Sequence, residues 1–201
     1  MGRRGGVGFF DTIKLMYSDY IHWCQELGNK QSVSSFADFF LRPGTIAVFL
    51  HRIAFLLHNK NLFFRILSRF VYLFNVFLTG ADIAPTTQIG KGFVLFHSVG
   101  TAIFGKLGDN VIISAKASIG GDGGLKDVGA GGGLPVIGNN VKIGTNVTII
   151  GGIVIADGVN FAAGASVYSD VLEPYVLLVG SPAKVARKIS KEYSIFGRQD
   201  K

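Results

Sequence analysis

His97 is the only histidine in the stretch from Ile83 to Val171, whereas His22, His51 and His58 fall in an N-terminal region of different character. An imidazole with an ordinary pKa near neutrality suits a general base. A lone histidine facing outward is by default a solvated surface residue, but two neighbours give this one a sharper reading. Asp82 stands fifteen positions earlier. If the chain coils with a period close to that spacing, the carboxylate lies one layer away. It would hold one ring nitrogen and leave the other to take a proton. The second neighbour is the glycine-rich run from Gly120 to Pro135. It is either a plain surface loop or an active-site flap, and amide groups at Gly120 or Gly121 could stabilise a developing oxyanion. No Gly-Lys-Ser/Thr sequence ends the run, which argues against a phosphate loop. One histidine and no cysteine in this stretch argue against a bound metal.

These residues need a scaffold, and the same stretch supplies it. Ile83, Ile89, Leu95, Leu107 and Ile113 open units of six residues, and after the glycine-rich run Ile137, Ile143, Ile149, Ile155, Phe161 and Val167 open six more. A six-residue period fits neither a helix nor a simple strand alternation and is the signature of a parallel β-helix. Each unit would form one flat side of a triangular prism, with its aliphatic opener pointing inward. The fold expected is mainly β: a β-helix over 81–181 with an inserted loop at 121–135. It is preceded by a helical region over 1–80 and followed by a C-terminal helix and tail over 182–201.

The chain has 201 residues, 28 of them glycine, only 16% charged residues and a net charge of +7. Many tight corners explain the glycine. The positive balance fits solubility, an anionic cofactor or an anionic membrane surface; nucleic acid is not expected, because no recognition motif accompanies it. Cys24 is the only cysteine and no secretory signal is evident, so a cytoplasmic protein is expected, with the inner face of the cytoplasmic membrane as an alternative place of work.

In the N-terminal region the patterns predict helices over Asp11–Leu27, ended by Gly28, over Ser35–Leu41, stopped by Arg42-Pro43-Gly44, and over Thr45–His58. Asn61–Thr79 is nearly long enough and apolar enough to span a bilayer. Arg65, Arg69 and Tyr72 form a stripe that argues against spanning. Two readings stay open: packing against other helices and subunits, or a peripheral contact with a membrane surface.

Several segments together resemble the serine acetyltransferase branch of the hexapeptide-repeat acyltransferases. They are Arg52-Ile-Ala, Gly80-Ala-Asp82-Ile-Ala-Pro85, Ile89-Gly-Lys-Gly, Leu95-Phe-His97-Ser-Val-Gly100 and Val179-Gly-Ser-Pro-Ala-Lys184. The resemblance implies a left-handed coil and an acetyl-CoA-dependent transfer, with His97 as the base and Asp82 as its orienting carboxylate. It also implies a homotrimer, or a dimer of trimers, with the cofactor between subunits. Gly121 would then face the thioester, Thr145 and Ala163 would meet the pantetheine arm, and Ser181 and Lys184 would lie near the nucleotide.

Three departures shape the expected acceptor. Serine acetyltransferases carry an aspartate where this chain has Phe96, and an Arg-His pair where Gly133-Leu134 precede Pro135. The side chains that would hold a zwitterion are therefore missing. The reading that follows is an O-acetyltransferase of the polysaccharide or colanic-acid type. Its acceptor would be a carbohydrate, free or lipid-linked, resting on Phe96 and Leu134. The alternatives are serine or another small-molecule acceptor, and a non-catalytic hexapeptide scaffold.

Overall fold

A computed structural model describes residues 8–191. Four helices come first: α1 (Phe9–Leu27), α2 (Val33–Phe40), α3 (Pro43–His58) and α4 (Leu62–Thr79). Their ends follow local chemistry. Gly28 and Gly80 close α1 and α4 in the left-handed conformation, Ser32 and Asn61 accept amide hydrogen bonds at the starts of α2 and α4, and Pro43 opens α3. The helices predicted from the sequence are all present.

Among the described residues fifteen short strands follow; fourteen wind into three parallel sheets, and the last turns back onto one of them. Side A holds β1 (Asp82–Ile83), β4 (Ala102–Ile103), β7 (Ser118–Gly120), β10 (Thr148–Ile150) and β13 (Ser166–Val167). Side B holds β2 (Gln88–Ile89), β5 (Lys106–Leu107), β8 (Val136–Ile137) and β11 (Val154–Ile155). Side C holds β3 (Val94–Leu95), β6 (Ile112–Ile113), β9 (Lys142–Ile143), β12 (Asn160–Phe161), β14 (Val176–Val179) and β15 (Lys184–Lys188). The strand order A, B, C repeating along the chain makes a three-sided parallel β-helix, and its hand is left. The unit openers stack inward as a dry core: Ile83, Ile103, Ile119 and Ile149 on side A, and Leu95, Ile113, Ile143 and Phe161 on side C, are each at most 1% exposed.

One irregularity bears on the site. From Leu95 the next inward residue is Ile103, eight positions on, and Leu107 then follows after only four. The corner after β3 is thus enlarged at the expense of the following side, and His97 stands on it.

The helices cover side C. Tyr20, Trp23, Cys24 and Phe39 pack with Val94 and Ile112, the outward residues of β3 and β6. Gly44 brings α3 so close that a Cβ there would meet the Leu95 carbonyl oxygen. A buried ion pair fixes the arrangement. Arg52 of α3 gives two hydrogen bonds of 3.1 Å to the carboxylate of Asp19 in α1 and reaches the carbonyls of Ile89 and Gly90, while Asp19 also accepts from Phe93 N–H at 2.8 Å.

The expected C-terminal helix is corrected as far as the structure is described. Lys184–Lys188 forms β15, an antiparallel strand against β14. Side C ends with an open edge, whose unpaired peptide groups accept a returning strand. Pro182 lies in the connecting turn. Residues 192–201 lie outside the described part.

Candidate active site

The register of side C places the predicted residues. Two positions after the inward residues Leu95, Ile113, Ile143, Phe161 and Leu178 come His97, Ala115, Thr145, Ala163 and Gly180, one above another along the corner between sides C and A. Coils are spaced like neighbouring strands, so His97 and Ala163 are separated by roughly 14 Å along the axis. Backbone bonds confirm the stacking: Asn146 N–H donates to Ala115 C=O and Gly164 N–H to Thr145 C=O, both at 2.9 Å. His97, Thr145, Ala163 and Ser181 therefore share one edge of the prism. Beyond it Lys184 stands exposed in β15.

This edge suits an elongated ligand. Ala115 and Ala163 bring no bulk to it, Ala163 is exposed, and neither its N–H nor its C=O is hydrogen-bonded among the described residues. Thr145 offers less than expected, since its carbonyl is taken by Gly164 and its hydroxyl pairs with Ser114 at 2.9 Å. Its amide remains.

At the lower end, the imidazole of His97 is exposed and carries no hydrogen bond among the described residues. The backbone around it is pinned. Ser98 Oγ donates to Thr79 C=O at 2.7 Å, Gly100 N–H to Gly80 C=O at 3.0 Å, and His97 N–H to Ser114 C=O at 2.9 Å. Asp82 begins side A in the coil below, beside this corner, as the spacing suggested. It makes neither hydrogen bond nor ion pair with His97 among the described residues. Its Oδ1 instead accepts from the hydroxyl of Tyr72 in α4 at 2.7 Å. Burial, and then the neighbouring Asp82 carboxylate, push the Tyr72 phenol up to about 12, so it stays a donor.

The glycine-rich loop leaves a different corner, between sides A and B. Gly120 is buried at the end of β7, paired with Ile150, and accepts from Gly151 N–H at 3.0 Å. Gly121 is the first residue free of the ladder: it is exposed and its N–H has no partner among the described residues. Of the two glycines expected to offer an oxyanion amide, Gly121 is the exposed one and Gly120 is buried. A Cβ built on it would lie 3.3 Å from Leu134 Cδ2 and 3.2 Å from Gly133 C=O, so the returning loop lies directly over this glycine.

The loop is organised by its own acids. Asp122 accepts from Gly124 N–H at 2.7 Å, Asp127 from Gly129 and Gly131 at 2.8 and 3.0 Å, and Lys126 reaches Asp170 at 3.4 Å. Backbone amides hold the carboxyls of Asp127 and Asp170 below their usual range. Gly133 has φ +70°, and a Cβ there would press on Asp122 Oδ1 and Gly124 C=O at 2.8 Å. A side chain at this position would therefore be strained.

Phe96 does not face the site edge. As the residue after inward Leu95 it points outward from side C, where it packs on the Tyr20–Trp23–Phe39 cluster. The expectation that it stacks on a sugar ring is corrected accordingly: the helices covering side C claim it. Tyr72 was the functional candidate that sequence reasoning missed. Its signal was the spacing of Ser68, Tyr72, Asn75 and Thr79 along one face of an otherwise apolar helix.

Among the described residues no group of three or more His, Cys, Asp or Glu could hold a metal ion. A coiled prism with one histidine at a ligand-sized edge defines a hexapeptide-repeat transferase. The family model described as bacterial transferase hexapeptide (six repeats) matches residues 135–169. The serine acetyltransferase of Helicobacter pylori (strain ATCC 700392 / 26695) is 34% identical over 150 residues, covering 74% of this chain and 84% of that protein. That of Bacillus subtilis (strain 168) is 30% identical over 151 residues, covering 74% and 66%. Among solved structures, Neisseria gonorrhoeae serine acetyltransferase in complex with serine superposes with a TM-score of 0.78 at 27% identity, over 89% of this chain and 70% of that one. Soybean serine acetyltransferase complexed with serine gives 0.74 at 29%, over 87% and 69%. The chain belongs to the serine acetyltransferase family and is an acyltransferase. The polysaccharide branch expected from Phe96 and Leu134 finds no support in these relatives.

Proposed function

We propose that the protein is an acetyl-CoA-dependent serine O-acetyltransferase with His97 as its general base. The kinship with serine acetyltransferases over most of the chain carries this reading, and the placement of His97 at one end of an open, small-residue edge supports it. Bound along that edge, acetyl-CoA would supply the acyl group, with Ala163 and Thr145 beside its arm and Ser181 and Lys184 near its phosphates. His97 would take the proton of the acceptor hydroxyl, and Asp82, held by Tyr72, would fix the imidazole. The amide of Gly121 would face the oxygen on which negative charge develops.

Within one chain the two halves of this site lie on different corners, His97 between C and A and Gly121 between A and B. Both halves act together if neighbouring copies pack with these corners facing each other. This is the basis for proposing a homotrimer with three shared sites. The buried free thiol of Cys24 accords with work in the cytoplasm.

One observation favours a second acceptor class. Leu134 places an apolar side chain over Gly121, and nothing in that loop offers a cation to a carboxylate except Lys126, which is paired with Asp170. A neutral hydroxyl acceptor, such as a carbohydrate, would fit that surface. Release of CoA from acetyl-CoA, measured with free serine and with oligosaccharides, separates the two. Turnover on serine is expected, and turnover on oligosaccharide alone would reverse the order.

A further inference from the structure

α4 is built inside out for a helix of a water-exposed surface. Its buried residues are Ser68, Asn75 and Thr79, and its exposed face is Phe63, Ile66, Phe70, Leu73, Phe74 and Phe77, with Phe63 69%, Phe70 64% and Phe77 89% exposed. The inward stripe is fully committed: Ser68 Oγ donates to Ala54 C=O at 2.7 Å, Asn75 Nδ2 to Ala47 C=O at 3.0 Å, and Thr79 Oγ1 to Asn75 C=O at 2.8 Å. Contiguous apolar surface of this kind marks a contact site.

Charge selects the occupant. Residues 39–81 contain five Lys and Arg and no Asp or Glu. Arg52 is buried against Asp19 and Arg42 pairs with Asp38. Lys60, Arg65 and Arg69 are exposed and carry no ion pair among the described residues. At helical spacing Arg69 borders the apolar face and Arg65 lies just behind it. A second copy presenting the same face would set these cations against their equals, whereas an anionic lipid surface would receive both the rings and the charges. Crossing the bilayer is ruled out by the anchoring. The helix has 18 residues, it is bonded along its length to α3, and its middle is tied through Tyr72 to β1.

We propose that the outer face of α4 docks flat on an anionic lipid surface, its phenylalanines at the level of the upper acyl chains and Arg65 and Arg69 at the phosphates. This is independent of the acceptor the enzyme uses.

The test is co-sedimentation of the full chain with vesicles of phosphatidylcholine, with and without phosphatidylglycerol. Binding is expected to the anionic vesicles and to weaken with salt. Phe70→Ser with Phe77→Ser should lower it by roughly tenfold or more, and Arg65→Gln and Arg69→Gln by roughly fivefold each. Thermal unfolding checks that the variants fold, and the arginine changes, on exposed side chains, keep the test decisive if the serine variant does not. A wild-type chain that stays in the supernatant, or variants that bind as well as wild type, would overturn the proposal. So would a fall in assembled mass on Phe70→Ser and Phe77→Ser without any vesicle binding, which would assign the face to a second copy.

Discussion

The hydroxyl of Tyr72 donates to Oδ1 of Asp82 at 2.7 Å, joining the last N-terminal helix to the first strand of the prism beside the His97 corner. Both ends of that bond have a fixed backbone, because α4 is bonded to α3 through Ser68 and Asn75 and β1 pairs with β4. The carboxylate is therefore aimed by the helix. A hydrogen bond to a charged acceptor contributes about 1.5–3 kcal/mol.

Tyr72→Phe is expected to keep the fold and to lower kcat roughly tenfold or more, with KM for acetyl-CoA unchanged. An unaltered kcat would reduce Tyr72 to a packing residue.

The proposed shared site predicts complementation between chains. His97→Ala removes the imidazole from one corner, and Gly121→Val obstructs the other by pressing on Leu134 and Gly133. Each variant alone should be nearly inactive. Mixed oligomers refolded from both should regain a fraction of wild-type CoA release, since some interfaces combine two intact halves. Mixtures as inactive as the parents would place the whole site within one chain.

His51 gives stability a dependence on pH. It is fully buried in α3, and burial, followed by the charge of Arg52, lowers it to about 3 from an ordinary 6.5. The unfolded chain thus binds a proton near pH 6.5 that the folded chain refuses until about pH 3. Stability is complete above the unfolded value and is lost as pH falls below it, by about 1.4 kcal/mol per pH unit for one proton. His58 is also lowered, by burial and then by Arg65 and Arg69, and adds in the same direction. Urea unfolding between pH 7.5 and 5 should show this decline, and His51→Asn should remove part of the slope. Most carboxylates titrate below this range; Asp19, raised by burial, acts in the opposite sense, so it is the difference between wild type and His51→Asn that isolates the effect.

Much of this architecture is legible in the chain itself, because its punctuation is local. Gly28, Pro43 and Gly80 bound helices by their own backbone preferences, and the inward aliphatics recur at six with little interference. Legibility fails where a tertiary partner decides. Phe96 reads as an exposed residue beside the histidine, but α1 and α2 cover the face on which it points outward. Lys184–Lys188 has no strong preference of its own and becomes a strand because side C ends in an unpaired edge. The enlarged corner at His97 is hidden because the short step from Ile103 to Leu107 restores the phase. The nearness of Asp82 to the His97 corner is legible from their spacing, and Thr145 and Ala163 are named by the resemblance. Tyr72 is legible from neither, since a contact ten residues away in sequence depends on how α4 meets the prism.

The proposed role of His97 is to take the proton from a serine hydroxyl. Single-turnover release of CoA from acetyl-CoA with free serine, comparing wild type with His97→Ala, tests it most directly. A loss of about 10²- to 10⁴-fold in rate with acetyl-CoA affinity retained is the predicted result. Equal rates in the two proteins, or no serine-dependent release by the wild type, would contradict it.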